Sequence, residues 1–141
     1  MARFDLNGGA KFFETYVPAR LLPTVGRRLD AAQLACLRTC VIESNVDTGT
    51  MRGGWDVSAG QIEVDEPSPD SSGSATISAA IGKVASFQGS VVDRFVANPV
   101  EYSRYQNDGT ERVPARNMTG KGIMAAVDAF ENFDDREFEN L

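Results

Sequence analysis

The sequence predicts an α+β fold, in which a single domain holds a small, mainly antiparallel sheet packed on one face by helices. Three segments with the apolar spacing of helices alternate with two strand-like segments, in the order αβαβα. The length of 141 residues is that of one domain. We expect this domain at residues 24–133, after an arm or short helix at 1–23 and before an acidic tail at 134–141.

The first helix is predicted to run from Thr24, which can serve as its N-cap, to about Ser44. Cys36 and Cys40 are four residues apart and therefore share one face of this helix. Because a helical backbone gives a disulfide between them poor geometry, we expect two buried, reduced thiols that act as small apolar groups. The side opposite the apolar stripe carries Arg27, Arg28 and Arg38.

Two later segments have the pattern of strands. Apolar and polar side chains alternate over residues 55–59, as in a half-buried strand. Beyond Gly60 the apolar phase shifts to Ile62 and Val64, which indicates a bulge or a tight bend. Residues 90–97 are largely apolar on both faces. They predict an inner strand that is covered by helices on one side and by a partner on the other.

Two further helices complete the pattern. One is predicted to start at the capping residue Ser74 and to stop at Gly89. Its apolar stripe is Ile77, Ala80, Ile81, Val84 and Phe87. The other is predicted from about Thr119 to Phe133, after a single helical turn at residues 102–106. Its apolar face is Ile123, Ala126, Val127, Phe130 and Phe133.

The composition argues against most catalytic and DNA-binding classes. Histidine is absent, which removes the Ser-His-Asp and Cys-His triads and the histidine zinc sites. The Gly120-Lys121-Gly122 stretch lacks the spacing of a phosphate-binding loop. The net charge of −6 is opposite to that of a protein that grips DNA phosphates. We therefore expect a protein that is not an enzyme and that uses no metal or cofactor.

A secretion signal and an apolar run of membrane-spanning length are both absent from the sequence. We therefore expect no membrane partner and synthesis in the cytoplasm.

The first of two informative turns covers residues 47–52. Asp47 can close an Asx-turn and Gly49 can adopt a positive φ, so the segment fits a simple connection from helix to strand. That account leaves Arg52 and Trp55 unexplained. Arginine and tryptophan are the residue types that dominate protein interfaces.

The second turn covers residues 102–116. Loop chemistry accounts for part of it, because Pro114 fixes φ and lacks an amide hydrogen. Arg116 fits a charge-paired surface residue equally well.

These two turns carry a family resemblance. Val46-Asp47-Thr48-Gly49, followed by Arg52 and Trp55, resembles the VDTG…R…W signature of tailed-bacteriophage neck proteins, also called tail-completion or head–tail joining proteins. The second half of that signature is matched by residues 98–102, by Asp108-Gly109-Thr110, and by Val113-Pro114-Ala115-Arg116. The resemblance spans roughly residues 27–133, which is most of the chain.

The resemblance implies a structural virion protein. Such subunits form a ring, commonly a hexamer, at the neck between the capsid connector and the tail. The ring serves as a tail terminator, a tail-completion ring or a head–tail adaptor. Its partners are further copies of itself, head-completion or connector proteins, and tail tube proteins, while genomic DNA passes through the lumen without specific binding. Contacts in such a ring are heterologous and close by rotation.

The resemblance also suggests roles for individual residues. Asp47 would fix the turn, and Arg52 would pair with an acid, either Asp47 or one of a neighbouring subunit. Trp55 would anchor an interface or the core. The full set of turn and interface candidates is Asp47, Thr48, Gly49, Arg52, Trp55, Tyr102, Tyr105, Asp108, Gly109, Thr110, Pro114 and Arg116.

The residues taken alone also fit a different class of protein. This alternative is a cytosolic binding or adaptor module with no virion role, since nothing in the side chains themselves requires a ring.

Overall fold

The computed structural model describes residues 22–44, 49–111 and 114–133. Within these ranges it contains five helices and a two-stranded antiparallel sheet, which confirms a small α+β domain. The elements are α1 (Leu22–Glu43), α2 (Thr50–Gly53), β1 (Asp56–Ala59), α3 (Ser74–Ser86), β2 (Arg94–Ala97), α4 (Ser103–Asp108) and α5 (Met118–Glu131). The predicted αβαβα order is present. The helical turn predicted at residues 102–106 is found as α4, and the short helix α2 was not predicted. The tail at 134–141 and most of the arm at 1–23 lie outside the described residues.

Helix α1 begins two residues earlier than predicted. Thr24 lies inside the helix and is buried, so the prediction that it is the N-cap is wrong. Pro23 is tolerated in the first turn, where its missing amide hydrogen has no helical acceptor to lose. At Gly26 the chain after α3 approaches so closely that a Cβ would lie 1.6 Å from the Gly89 carbonyl oxygen. Thr24 and Gly26 are consequently buried in the first turns of α1, while Leu22 and Pro23 stay exposed.

Helix α5 packs along α1 through small side chains. A Cβ at Gly122 would lie 2.8 Å from the Cys40 Sγ and 3.0 Å from the Cys36 Sγ, so the two helices touch at this point. The cysteines are free thiols, as predicted, although only Cys40 is buried and Cys36 is half-buried. A hydrogen bond with Cys36, together with burial, raises the pKa of Cys40. Both sulfur atoms lie against Gly122 of α5.

The apolar face predicted for α5 is wrong in part. Met118 and Gly122 are buried, whereas Ile123 is 60% and Val127 is 50% exposed. The helix turns its glycine side towards α1 because only that side permits the close approach to Cys36. The branched side chains are consequently left at the surface. Arg28 is also not on a purely solvated side of α1, since it donates to the Phe130 carbonyl oxygen at 2.7 Å.

The sheet is shorter than predicted. Each strand has four residues, and Ser58 is the register partner of Phe95. Gly60 has a φ of +85° and turns the chain away, which ends β1 well before Val64. In the part of the chain that the structure describes, the sheet has two strands and β2 lies at its edge, so the prediction of a long inner strand at 90–97 is wrong.

A glutamine joins the sheet to α1. The Gln33 Nε2 donates to the carbonyl oxygens of Ser58 at 2.9 Å and Phe95 at 3.0 Å, one on each strand. Helix α3 packs beside β1. The predicted cap of α3 is corrected, because the Asp70 carboxylate, not Ser74, accepts the amide hydrogen of Thr76 at 2.8 Å. Ala80 and Val84 of the predicted stripe are buried, whereas Ile81 is 46% exposed.

Among the described helices, none combines the length and apolarity needed to cross a membrane.

Candidate functional site

The two predicted turns meet at the carboxyl end of α1. The last carbonyl groups of a helix have no partner inside it and must be satisfied by other groups. Here Ser44 bonds back twice: its Oγ donates to the Cys40 carbonyl oxygen at 2.6 Å, and its amide donates to that of Val41 at 3.2 Å. The remaining carbonyls of this end accept hydrogen bonds from two arginines, one in α2 and one in the loop before α5.

Arg52 is the first of these arginines. Its Nη2 donates to the Ile42 carbonyl oxygen at 3.1 Å, and its Nε donates to that of Ser44 at 3.3 Å. Its Nη1 reaches the Ser71 carbonyl oxygen at 3.0 Å, which ties the loop before α3 to the same place. A cation is favourable there because the carboxyl end of a helix carries partial negative charge. The described partners of Arg52 are thus carbonyl groups of its own chain; Asp47, the acid suggested for it, lies outside the described residues, as does Thr48.

Arg116 is the second arginine. Its Nη1 donates to the Glu43 carbonyl oxygen at 3.1 Å, from an exposed position. Lys121 adds an ion pair to the Glu43 carboxylate at 2.9 Å. The loop that carries Arg116 is held in place by its amide, which donates to the Gln106 carbonyl oxygen at 2.9 Å. Three side-chain cations therefore converge on the end of one helix.

Trp55 lies in the core. Its side chain is 6% exposed, and its indole Nε1 donates to the Ser44 Oγ at 2.6 Å. Ser44 also touches the Met118 sulfur at 3.2 Å, which connects the tryptophan to α5. Of the two roles suggested for Trp55, the described contacts are those of a core anchor.

The turn around α2 depends on close backbone approach. Gly49 has a φ of +75°, as its predicted role requires. Its carbonyl oxygen accepts the amides of Gly53 at 2.9 Å and Asp70 at 3.0 Å. A Cβ at Gly53 would lie 1.6 Å from the Ser68 carbonyl oxygen, so no larger residue fits there without a backbone shift. Asn98 closes this turn from the far side, with its Nδ2 2.8 Å from the Met51 carbonyl oxygen.

The second turn is a compact reversal between α4 and α5. Gly109 has a φ of +79°, and a Cβ on it would lie 2.7 Å from the Ala115 amide nitrogen. The Asn107 Oδ1 accepts the Thr119 amide at 2.9 Å and so caps α5. These backbone constraints explain why the loop needs its glycine and its asparagine.

The remaining candidates of this turn face solvent. Tyr102 is 40% and Tyr105 is 59% exposed. Asp108 lies 3.9 Å from Arg104 in an exposed pair. Thr110 and Pro114 are also exposed. The structure therefore divides the described candidates into a set that contacts the end of α1 and an exposed set that runs from Tyr102 through α4 to the loop after it.

An ion-pair cluster that the sequence analysis missed lies beside β1. Lys83 contacts the Asp56 carboxylate at 2.7 Å and the Asp65 carboxylate at 2.9 Å. Burial raises the pKa of Asp56, but hydrogen bonds from Lys83 and from the Asp65 and Val57 amides outweigh it, so this pKa lies below its ordinary value. A small cavity of about 190 Å³ opens next to the cluster.

An apolar groove of about 430 Å³ lies between β2 and α5, with α1 as its floor. Its lining includes Leu29, Ala32 and Cys36 of α1, Val96 of β2, and Ile123 and Ala126 of α5. Arg94 at its margin is 6% exposed and is held by Asp30 at 2.8 Å and by the Gln33 Oε1 at 2.9 Å. The groove could not be predicted from the sequence, because it forms only when α5 turns Ile123 outward.

In the ranges that the structure describes, no three acidic or thiol side chains are grouped so that they could hold a metal ion. Neither a family model, nor a curated protein, nor a solved structure matches this chain.

Proposed function

We propose that the protein is a ring-forming structural subunit of a tailed-bacteriophage neck, where it completes the tail or joins it to the head connector. The observation that carries this proposal is the ordered pair of signature segments at residues 46–55 and 98–116. Further support comes from their convergence, since Arg52 and Arg116 bind neighbouring carbonyl groups of one helix end. Segments that pack together in this way form one structural unit.

The proposed role is passive towards DNA. Residues 53–141 carry seven basic and fifteen acidic side chains, a net charge of −8. An acidic lumen repels phosphate and lets a duplex slide, an effect that salt screens. We expect no retention of duplex DNA in a mobility-shift assay at low salt, and tight retention would contradict this part of the proposal.

The decisive experiment is the location and symmetry of the chain in a reconstructed particle, with native mass spectrometry of the purified protein as its solution counterpart. The proposal expects a closed ring at the neck, made of copies of this chain. A chain that is absent from particles and monomeric at all concentrations would overturn it.

The apolar groove favours one alternative, a cytosolic module that binds a small molecule or a partner. That function expects a stable monomer whose groove is filled by a ligand. A monomer with a bound apolar ligand would therefore support the alternative over the ring.

A further inference from the structure

The outer edge of β2, the edge that does not face β1, carries backbone groups that are not paired within the sheet. In an antiparallel pair, residues alternate between bonding their partner strand and pointing their peptide groups outward. The Gly60 amide donates to the Asp93 carbonyl oxygen at 2.8 Å. Ser58, two residues before Gly60, and Phe95, two residues after Asp93, therefore form the next bonded pair. The peptide groups of Arg94 and Val96 consequently point away from β1.

Those outward peptide groups have no partner among the described residues. The groove between β2 and α5 runs along the same edge, since Arg94, Phe95 and Val96 all line it. An open strand edge beside an apolar floor has the features that an added strand requires: backbone donors and acceptors on one side and a place for alternate side chains below. The groove therefore suits an extended polypeptide.

The same chain carries an extended segment that fits this groove. Residues 61–65 follow β1 without regular secondary structure, and Ile62 and Val64 are 63% and 36% exposed. The amides of Glu63 and Asp65 bond the side chains of Ser58 and Asp56, at 3.2 and 2.8 Å. The segment thus runs back along β1 and turns every second amide towards its own strand.

The intervening amides, those of Ile62 and Val64, have no hydrogen-bond partner in the described part of the chain. Their spacing of two residues equals that of Arg94 and Val96 on the other edge. The apolar side chains of Ile62 and Val64 also fall at this period, with the acidic Glu63 between them. Donor segment and acceptor edge therefore match in both hydrogen bonding and polarity.

We infer that residues 61–65 of one copy add as a strand to β2 of a second copy, with Ile62 and Val64 over the groove between β2 and α5. This inference rests on the proposed function, because it specifies how the subunits of the ring contact one another. Donor and acceptor lie on opposite edges of the same ribbon, so the contact is head-to-tail. When each copy makes this contact with the next, the strands form a continuous sheet through the assembly. The assembly closes into a ring if the rotation between neighbouring copies divides a full turn evenly.

The first test uses matched variants of the full-length chain and native mass spectrometry. Ile62→Pro removes the donor amide, while Ile62→Val keeps that amide, the β-branched shape and the apolar side chain. On the acceptor side, Ile123→Lys fills the groove with a charge, whereas Met124→Lys changes a neighbouring side chain that is 73% exposed and does not line it. We expect Ile62→Pro and Ile123→Lys to abolish rings and the two control variants to retain them. If the Ile62→Pro and Ile123→Lys variants both form rings as the wild type does, the inference is overturned and the proposed function still stands.

Mixing the two disruptive variants tests the direction of the contact. Ile62→Pro retains an intact groove and Ile123→Lys retains an intact donor segment. Their mixture should give one-to-one dimers and nothing larger, because only one head-to-tail contact can form. Rings in the mixture, or no association at all while the control variants assemble, would contradict the assignment.

A second measurement does not depend on ring formation. A synthetic peptide of residues 60–66 is titrated into the isotope-labelled protein, with a peptide N-methylated at the Ile62 position as control. We expect the first peptide, and not the control, to shift the amide resonances of Arg94 and Val96. Such binding to a chain that never forms rings would overturn the proposed ring while supporting the strand contact. If millimolar peptide shifts no amide resonance, the strand contact is overturned. If this edge instead binds a strand of a different protein, the assignment of a second copy as its occupant is overturned.

Discussion

At the carboxyl end of α1, the carbonyl groups of residues 40–44 all accept hydrogen bonds from described residues. Along the outer edge of β2, the peptide groups of Arg94 and Val96 have no such partner. In the first region the backbone hydrogen bonds are all made within the chain. In the second region the backbone groups are left unpaired beside an apolar groove. The difference teaches that Arg52 and Arg116 satisfy backbone groups of their own chain, whereas the edge of β2 keeps free backbone groups where the proposed subunit contact would form.

The largest effect should come from the core of the first region. Trp55→Ala removes a buried indole and leaves the Ser44 hydroxyl without its donor. We expect a loss of about 3–5 kcal/mol in the free energy of unfolding, by analogy with other large aromatic truncations. Chemical denaturation measures it. Trp55→Phe is the matched control and should lose less, because only the hydrogen bond and part of the ring are removed. A Trp55→Ala variant as stable as wild type, yet defective in assembly, would return this residue to an interface role.

Arg52 should matter more than Arg116 for stability. Arg52→Ala leaves the carbonyls of Ile42, Ser44 and Ser71 without their donor, and we expect it to cost about 1–3 kcal/mol. Arg116→Ala removes one bond at an exposed position and should cost about 0.5 kcal/mol or less. Thermal and chemical denaturation of the two variants give the comparison. If both retain wild-type stability and both lose rings, the two arginines belong to the subunit interface instead.

A smaller effect is expected from acid. The pKa of Asp70 and that of Asp56 lie below their ordinary value of 3.8, because hydrogen bonds to each carboxylate outweigh the opposing effect of burial. Their stabilising contribution is therefore complete above pH 3.8 and is lost as the pH falls through the lower values of the folded state. Denaturation midpoints should decline over that acid range. Asp56→Asn should show a shallower decline than wild type, and an unchanged slope would rule out a contribution from this carboxylate.

The order of the main elements could be predicted from apolar periodicity, because Leu37, Val57 and Val84 do face one core. The strand lengths could not, since β-branched residues at 62, 64, 91 and 92 have strand propensity whether or not a partner is present. The orientation of α5 also depended on tertiary packing: Gly122 against the two cysteines decides which side faces α1.

The site was predictable only as two separate loops. Gly49 and Gly109 have the positive φ values that their turns require, which local pattern alone can indicate. The meeting of Arg52 and Arg116 on one helix end could not be derived, because their acceptors are backbone carbonyls that every residue possesses. The turn-closing roles of Asn98 and Asn107 could not be derived either, because each bonds a backbone group of another element: the Met51 carbonyl oxygen for Asn98 and the Thr119 amide for Asn107.

The most direct test of the account compares stability and assembly in the same two variants, one from each region. Ile123→Lys should keep the wild-type denaturation midpoint and form no rings, whereas Arg52→Ala should lower the midpoint and form rings wherever it remains folded. Thermal denaturation and native mass spectrometry of each protein give both readings. The reverse result, with a stable Arg52→Ala that fails to assemble and an Ile123→Lys that assembles normally, would contradict the division between a fold-stabilising helix end and an assembly edge at β2.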